Sequence, residues 1–367
     1  MTKYKVLIVG KEPPPYYGTT VWYETLQKQL WPDDFKMCWF NNNIHKQLST
    51  LGKLSIKKIF LNVQLYFQFF KYLKKNKPDL VMVPISQATV GFLKDSVFVY
   101  ISSIYSKTIL VLHGSNWLNW LSNSSKPVKR YSEHIIRRAD SAVVLGENLK
   151  FIFEKYLPKD RIFAVPNGIN FRITEKTKGK SNANSKLVLT YLGNLQATKG
   201  IKEIFKSLEK IDADRIVFKV IGEWRDNETK EFCLDIVNKN HLDVDFKGPL
   251  YGEHKYAELA TSDLFIFTPK MPEGHPLVIL EAMAMGLPII TTDRGAISES
   301  VQDGFNGFVL KDPEPDIIAR KISFFIDNPL ELKKWGENSK SLYNNKFTAK
   351  NMVENYSTVF RKILEIK

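Results

Sequence analysis

Short runs of Val, Ile and Leu, each followed by an amphipathic stretch, recur along most of this chain and leave it few possible folds. Strands are expected at 5–9, 36–40, 80–84, 108–113, 141–145 and 162–165, with helical stretches at 56–75, 128–138 and 147–156 between them. A hydrophobic period that switches repeatedly between strand and helix reads as βαβ units around a mostly parallel sheet. Residues 174–186 then break the pattern: they are rich in Lys, Asn, Ser and Gly and read as a linker. Alternation restarts at 187–192 and continues through strands at 216–221, 244–246, 264–267 and 289–292. Helices are expected at 200–211, 227–240, 253–261 and 276–285, and the whole of 316–366 reads as helical. The fold class is therefore α/β, with two Rossmann-like doubly wound domains that face each other across a cleft. The expected boundaries are 1–173, 187–345, and a C-terminal helix at 346–367 that packs back on the N-terminal domain.

A chain of 367 residues suits two such cores better than one. Neither a secretory leader nor a bilayer-spanning stretch is expected. The apolar run 59–70 is short and carries Asn62, Gln64 and Gln68. Cys38 and Cys233 suggest neither a disulfide framework nor a metal site, so a reducing, cytoplasmic setting fits. Charge is unevenly spread. Residues 1–170 hold 24 Lys and Arg against 11 Asp and Glu, whereas residues 171–367 hold 29 against 28. The basic half implies an anionic partner surface. Nucleic acid is set aside because no nucleic-acid-binding module is recognisable.

In doubly wound sheets, ligands bind beyond the carboxyl ends of the strands. The unusual residues of this chain follow strands: Gly18, His113-Gly114, Asn167-Gly168, Gly193, Gly222-Glu223 and Glu273. The segment Pro272-Glu273-Gly274-His275-Pro276-Leu277-Val278-Ile279-Leu280-Glu281 carries the strongest signal. Pro276 suits a first helical turn, and Gly286 with Pro288 suits its end. Gly274 lets the chain pass close to a ligand. The first N–H groups of the helix, near Leu277 and Val278, form a site for a diphosphate. Glu273 and Glu281 could hold hydroxyls at opposite ends of a ligand, a sugar ring and a ribose. The plainer alternative is an acid at a helix start and a solvated helix acid. Asp212-Ala213-Asp214 and Asp243-Val244-Asp245 match a metal-binding Asp-x-Asp pattern, but both fall at the start of a strand and read as turn and cap residues. No metal or other cofactor is expected.

The run 271–310, with Glu273 and Glu281 eight apart, Glu-Ala-Met-Ala-Met-Gly-Leu-Pro, and Asp303-Gly304-Phe305-Asn306-Gly307-Phe308, resembles glycosyltransferase family 4, retaining enzymes of the GT-B fold. The likeness is tight over 187–310 and looser before it. It implies that Glu273 binds the donor sugar, Glu281 the ribose and Lys199 the diphosphate of a UDP- or GDP-linked nucleotide-sugar, which is a substrate. Asn194 stands where the family usually has Arg, so Lys199 and the helix dipole must do more. Gly193, Gly222, Glu223, Leu250, Tyr251 and His275 fall at further donor-binding positions, with Leu250 and Tyr251 near the base. Gly295-Ala296 resembles the family's glycine-rich turn, although Arg294 is unusual there. His113 resembles a strand-end histidine that positions sugar or acceptor. Gly18 resembles a loop near the diphosphate, with Tyr17 replacing one of a usual glycine pair.

The expected activity is transfer of a sugar to a hydroxyl of a glycan or lipid-linked acceptor, in cell-surface glycan or lipid-linked saccharide synthesis. A nucleotide-sugar epimerase of the same fold and a non-catalytic nucleotide-sugar-binding or membrane-adaptor protein are the alternatives. The stretch 54–77 mixes six lysines with Phe60, Tyr66, Phe67, Phe69 and Phe70. It reads either as an interfacial helix on the inner face of an anionic membrane or as a domain helix with a solvated basic end. The basic half favours the first.

Overall fold

The computed structural model describes residues 3–44, 56–171 and 186–366, with residues 56–59 described by their backbone alone. Apart from Lys186, the expected linker 174–186 lies outside the described residues, as do residues 54 and 55 of the aromatic, basic stretch. The chain divides into two compact units: Met1–Gly168 together with Ala349–Lys367, and Ile169–Thr348.

The first unit is built on a six-stranded parallel sheet: β1 (Tyr4–Gly10), β2 (Phe35–Asn41), β3 (Leu80–Ile85), β4 (Lys107–Leu112), β5 (Ser141–Val144) and β6 (Ile162–Ala164), in the order β2-β1-β3-β4-β5-β6. Val6, Leu7, Ile8 and Val9 are all fully buried, so successive side chains on both faces of β1 are covered. That is why the strands read as continuous apolar runs without alternation. The C-terminal helix Ala349–Leu364 belongs to this unit. It sends Met352, Tyr356 and Phe360 into a core shared with Val6, Trp22 and Phe35. Phe360 stacks on Trp31 with centroids 5.6 Å apart, and Arg361 grips Asp34 through Nε at 2.8 Å and a second nitrogen at 3.2 Å.

The second unit holds β7 (Leu187–Leu192), β8 (Ile216–Ile221), β9 (Val244–Gly248), β10 (Leu264–Phe267), β11 (Ile289–Thr292) and β12 (Gly307–Leu310). These are also all parallel, in the order β12-β11-β10-β7-β8-β9. Counted within the unit this is 3-2-1-4-5-6 read from the β9 edge, the dinucleotide-fold order whose direction reverses between the first and fourth strands. The reversal falls between β7 and β10, and the loops leaving them open a crevice there.

Several local expectations are corrected. β12 is a strand where the sequence reading placed none. The stretch 147–156 forms a 3₁₀ turn over Glu147–Ile152 where an α-helix was expected. Helices Gly18–Gln27, Thr89–Tyr105 and Trp117–Ser122 fill the first unit between strands. The helical stretch 316–366 consists of three helices: Pro315–Asp327, Pro329–Lys346 and Ala349–Leu364. The first break is at Asn328, held at φ −127° and ψ 68° because the following Pro329 clashes with a helical predecessor.

Candidate functional site

At the crevice between β7 and β10, the two strand-end loops are tied together. The Lys270 N–H donates to the Thr198 carbonyl at 3.0 Å. Lys199 closes a 3₁₀ turn over Ala197–Lys199, and its ammonium pairs with the Glu273 carboxylate. The side chains of Lys199 and Glu273 are only 23% and 15% exposed, so this ion pair is largely shielded from water. The Lys199 Nζ also sits 5.8 Å from the centre of the Phe267 ring at the end of β10. The sequence reading gave the two residues separate roles; the structure brings them into contact.

Glu273 is held from behind. Gly295, at φ 64°, packs so closely that a Cβ there would lie 1.7 Å from the Glu273 carbonyl oxygen, and the Ala296 N–H donates to the Gly274 carbonyl at 2.9 Å. Only glycine fits that approach. Arg294 beside it is spent on the same loop. It donates to the carbonyls of Lys270, Asp293 and Lys311 and to the Asp312 carboxylate. The imidazole of His275 is buried against Phe347, with Nε2 on the Ser300 hydroxyl. Burial lowers its pKa to about 4 and keeps it neutral at pH 7. The ring is used in packing, so what His275 can offer a ligand is its backbone.

Pro276 is the N-cap of the helix Leu277–Met285, which starts one residue later than the sequence suggests, and Gly286 ends it in a left-handed C-cap. The first N–H groups, on Leu277 and Val278, have no intrahelical acceptor. One and a half turns in, Glu281 is 5% exposed, which removes the reading of a solvated helix acid. Its Oε1 accepts from Lys255 Nζ at 2.7 Å, while Oε2 is buried with no hydrogen-bond partner among the described residues. An unmatched buried carboxylate oxygen is costly alone, and it is a ready acceptor for a ligand hydroxyl. Lys255 lies on the helix Gly252–Leu259, which begins directly after Leu250 and the exposed Tyr251.

The turns after β7 and β8 are laced in the same way. A Cβ on Gly222 would fall 1.8 Å from the Gly193 carbonyl oxygen, so the two chains cross where only glycine can stand. Leu195 N–H donates to the Glu223 carbonyl at 2.9 Å, and Arg225 N–H to the Leu195 carbonyl at 3.0 Å. Asn194 is contacted by a cation: an Arg225 guanidinium N–H donates to Asn194 Oδ1 at 2.8 Å. Beside this crossing, a pocket of about 460 Å³ is lined by residues that include Gly222, Glu223, Trp224, Phe246 and Pro249.

Lys199, Glu273, Glu281, Gly193, Asn194, Gly222 and Glu223 thus lie on the strand-end loops and first helical turns of one unit. Sequence reasoning missed Lys255 and Arg225, which come from helix and loop positions with no local signal beyond their place after a strand. The Asp-x-Asp pairs sit at the opposite, amino end of the sheet. Asp212 Oδ1 caps the Asp214 N–H at 3.0 Å, and Asp243 pairs with Lys186 at 3.3 Å.

His113 and Gly18 belong to the first unit. His113 is the residue just past β4, its ring edge-on to Trp22 with centroids 4.4 Å apart. Its Nε2 is shut off from solvent without a partner among the described residues, and burial, then nearby Lys11, lowers its pKa to about 3. It is a neutral imidazole at pH 7. Gly18 opens the helix Gly18–Gln27, and a Cβ there would meet nothing within 4 Å. The backbone therefore does not require glycine at 18, but the space beside it stays open.

Residues 173–342 match the family model described as "Glycosyl transferases group 1". An uncharacterized glycosyltransferase of Methanocaldococcus jannaschii is 28% identical over 320 residues, covering 83% of this chain and 80% of that protein. The lipopolysaccharide 1,2-N-acetylglucosaminetransferase of Salmonella typhimurium is 27% identical over 230 residues, covering 58% and 60%. Among solved structures, Anabaena HepE in complex with UDP and glucose superposes with a TM-score of 0.71 at 16% identity, over 98% of this chain and 100% of its own.

Proposed function

We propose that this chain, a glycosyltransferase carrying a group 1 glycosyl transferase domain over residues 173–342, moves a sugar from a UDP- or GDP-linked donor to an acceptor hydroxyl with retention of anomeric configuration. The observation that carries the reading is the Lys199–Glu273 ion pair at the strand-order reversal, beside a helix N-terminus and one and a half turns from a buried carboxylate with an empty acceptor position. Together these give a cation, an anion site and two hydroxyl acceptors, the chemistry a nucleotide-sugar needs. In this reading Glu281 Oε2 takes a ribose hydroxyl. Lys199 and the N–H groups of Leu277 and Val278 take the diphosphate. Glu273, released from Lys199, takes the sugar hydroxyls. The backbone at Gly274, His275 and Pro276 follows the sugar. Gly193 and Asn194 border the phosphates, and Gly222, Glu223, Leu250 and Tyr251 border the base.

The chemistry asked of the protein is modest. As the glycosidic bond breaks, negative charge gathers on the leaving diphosphate, and a fixed ammonium with aligned N–H dipoles lowers that barrier. Holding donor and acceptor in register supplies the rest, with no metal and no covalent nucleophile required. On the first unit, His113 and Gly18 are proposed to serve the sugar and acceptor. HepE was solved with UDP and glucose, and the Salmonella relative is a lipopolysaccharide N-acetylglucosaminetransferase. The first favours a UDP-sugar donor, and the second a glycan or lipid-linked saccharide acceptor.

The same unit supports peripheral binding to an anionic membrane. Phe69 and Leu73 of the helix Ile56–Asn76 are buried, but Phe60 and Phe67 are 69% and 64% exposed on a strongly basic half. Among the described residues, no helix is long and apolar enough to cross a membrane. A cytoplasmic enzyme working at the inner membrane face is consistent with this. The activity is tested by incubating the protein with UDP- and GDP-sugars and an acceptor extract and following free nucleotide. One donor is expected to turn over, and Glu273→Ala is expected to lower that rate about 10²- to 10³-fold. A folded Glu273→Ala protein with full activity would remove Glu273 from the site.

A further inference from the structure

We propose that Arg225 is a second phosphate-binding residue of the donor site, brought in from the turn after β8 and aimed by Asn194. This rests on the donor-site reading above and adds a residue to it.

The Arg225 guanidinium is firmly placed. The Arg225 backbone N–H is bonded to Leu195, Leu195 to Glu223, and Gly222 lies on the Gly193 carbonyl. The turn carrying Arg225 is therefore fixed against the turn leaving β7. Asn194 is fixed too, because its carbonyl accepts from the buried Tyr191 hydroxyl at 2.9 Å. From that base, Asn194 Oδ1 accepts one guanidinium N–H at 2.8 Å, and Glu223 Oε2 pairs with another guanidinium nitrogen at 2.9 Å. An arginine has five N–H donors in a planar fork, so these two contacts orient the group and leave donors over.

The location suits a phosphate. A Cβ on Gly193 would stand 3.5 Å from the Phe267 ring, whose centre is 5.8 Å from Lys199 Nζ. Gly193, the neighbour of Asn194, and Lys199 thus both lie beside one side chain at the end of β10. Charge balance calls for a second cation. A diphosphate brings more than one negative charge to that spot, which the single ammonium of Lys199 does not balance even once Glu273 has released it. Arg225 can supply it. Its partner Glu223 is 54% exposed, and an ion pair that open to water is held weakly and can be exchanged for a ligand phosphate. An arginine fork matches two phosphate oxygens at once, which a lysine does not. Arg294 cannot take the role, because its donors are committed to three carbonyls and a carboxylate. Asn194 therefore acts as the positioning residue for a cation that arrives from the neighbouring loop.

The test measures binding of UDP, GDP, uridine and guanosine to the full-length protein as wild type, Arg225→Ala, Arg225→Lys and Asn194→Ala. The expected result is that Arg225→Ala weakens the diphosphate that wild type prefers by about 10- to 100-fold, with its nucleoside changed by less than about threefold. Arg225→Lys should fall between, and Asn194→Ala should shift in the same direction by less. Arg225→Ala binding the diphosphate as tightly as wild type would overturn the proposal while leaving the donor site in place. So would equal weakening of diphosphate and nucleoside, which marks a merely structural residue. If wild type binds neither diphosphate, the donor-site reading fails and the proposal fails with it.

Discussion

The carboxyl edges of the two sheets are built from different materials. In the second unit, the loops after β7, β8 and β10 carry opposite charges set against one another: Lys199 with Glu273, Arg225 with Glu223, and Lys255 with Glu281 just beyond. In the first unit, the residue after β4 is a neutral histidine sealed against Trp22, and the loop after β1 is proline- and tyrosine-rich. One edge holds charge ready for an ionic ligand. The other carries Lys11 and Glu12 directly after β1, and beyond them offers shape and an uncharged ring. The proposed division of labour asks for such a contrast: the second unit's edge to meet a diphosphate, the first unit's edge an acceptor whose chemistry is mostly hydroxyl.

The comparison can be broken most sharply at Lys199. Lys199→Ala removes the cation facing the leaving group, and kcat for donor turnover is expected to drop about 10²-fold or more, measured by nucleotide release. His113→Ala, on the other edge, is expected to act mainly on acceptor KM and to leave donor binding within about threefold. A reversal of those two effects would show that the charges and the ring have been assigned to the wrong partners. Next in size is Lys255→Met. It strands the buried Glu281 carboxylate, and a loss of about 3 kcal/mol in unfolding free energy is expected in denaturant titration, partly regained when Glu281→Gln is added.

A smaller effect is expected from pH. His113 and His275 have folded-state pKa values of about 3 and about 4, both below the ordinary 6.5. Between those values the unfolded chain binds protons that the folded chain refuses. Stability is therefore fully present above about pH 6.5 and is lost as pH falls towards 4. His275→Phe should flatten part of that slope in thermal melts across pH 4–8. The mildest change is expected from Phe60→Asp with Phe67→Asp. These exposed positions should tolerate the change within about 0.5 kcal/mol, yet salt-sensitive co-sedimentation with anionic vesicles should fall several-fold. Unchanged sedimentation would detach the membrane from this helix.

The fold was legible because buried parallel strands announce themselves. Leu187–Leu192, Ile216–Ile221, Leu264–Phe267 and Ile289–Thr292 lie where their apolar runs place them. β12 was not, because four residues led by glycine look like a turn until they pair with β11. In the site, Glu273, Glu281 and Lys199 stood out by motif, while Lys255 and Arg225 did not. The Lys255–Glu281 contact joins residues 26 positions apart on two helices, and the Arg225–Asn194 contact residues 31 apart on two loops. No local period or propensity encodes such contacts. They follow from where the sheet order sends each loop, and that order becomes visible only in three dimensions.

The central claim is that the reversal between β7 and β10 is where the donor sits. Backbone hydrogen exchange with and without saturating UDP or GDP tests it directly. Slowed exchange is expected at 193–200 and at the start of the helix Leu277–Met285. A nucleotide that binds while leaving both segments unprotected would contradict it.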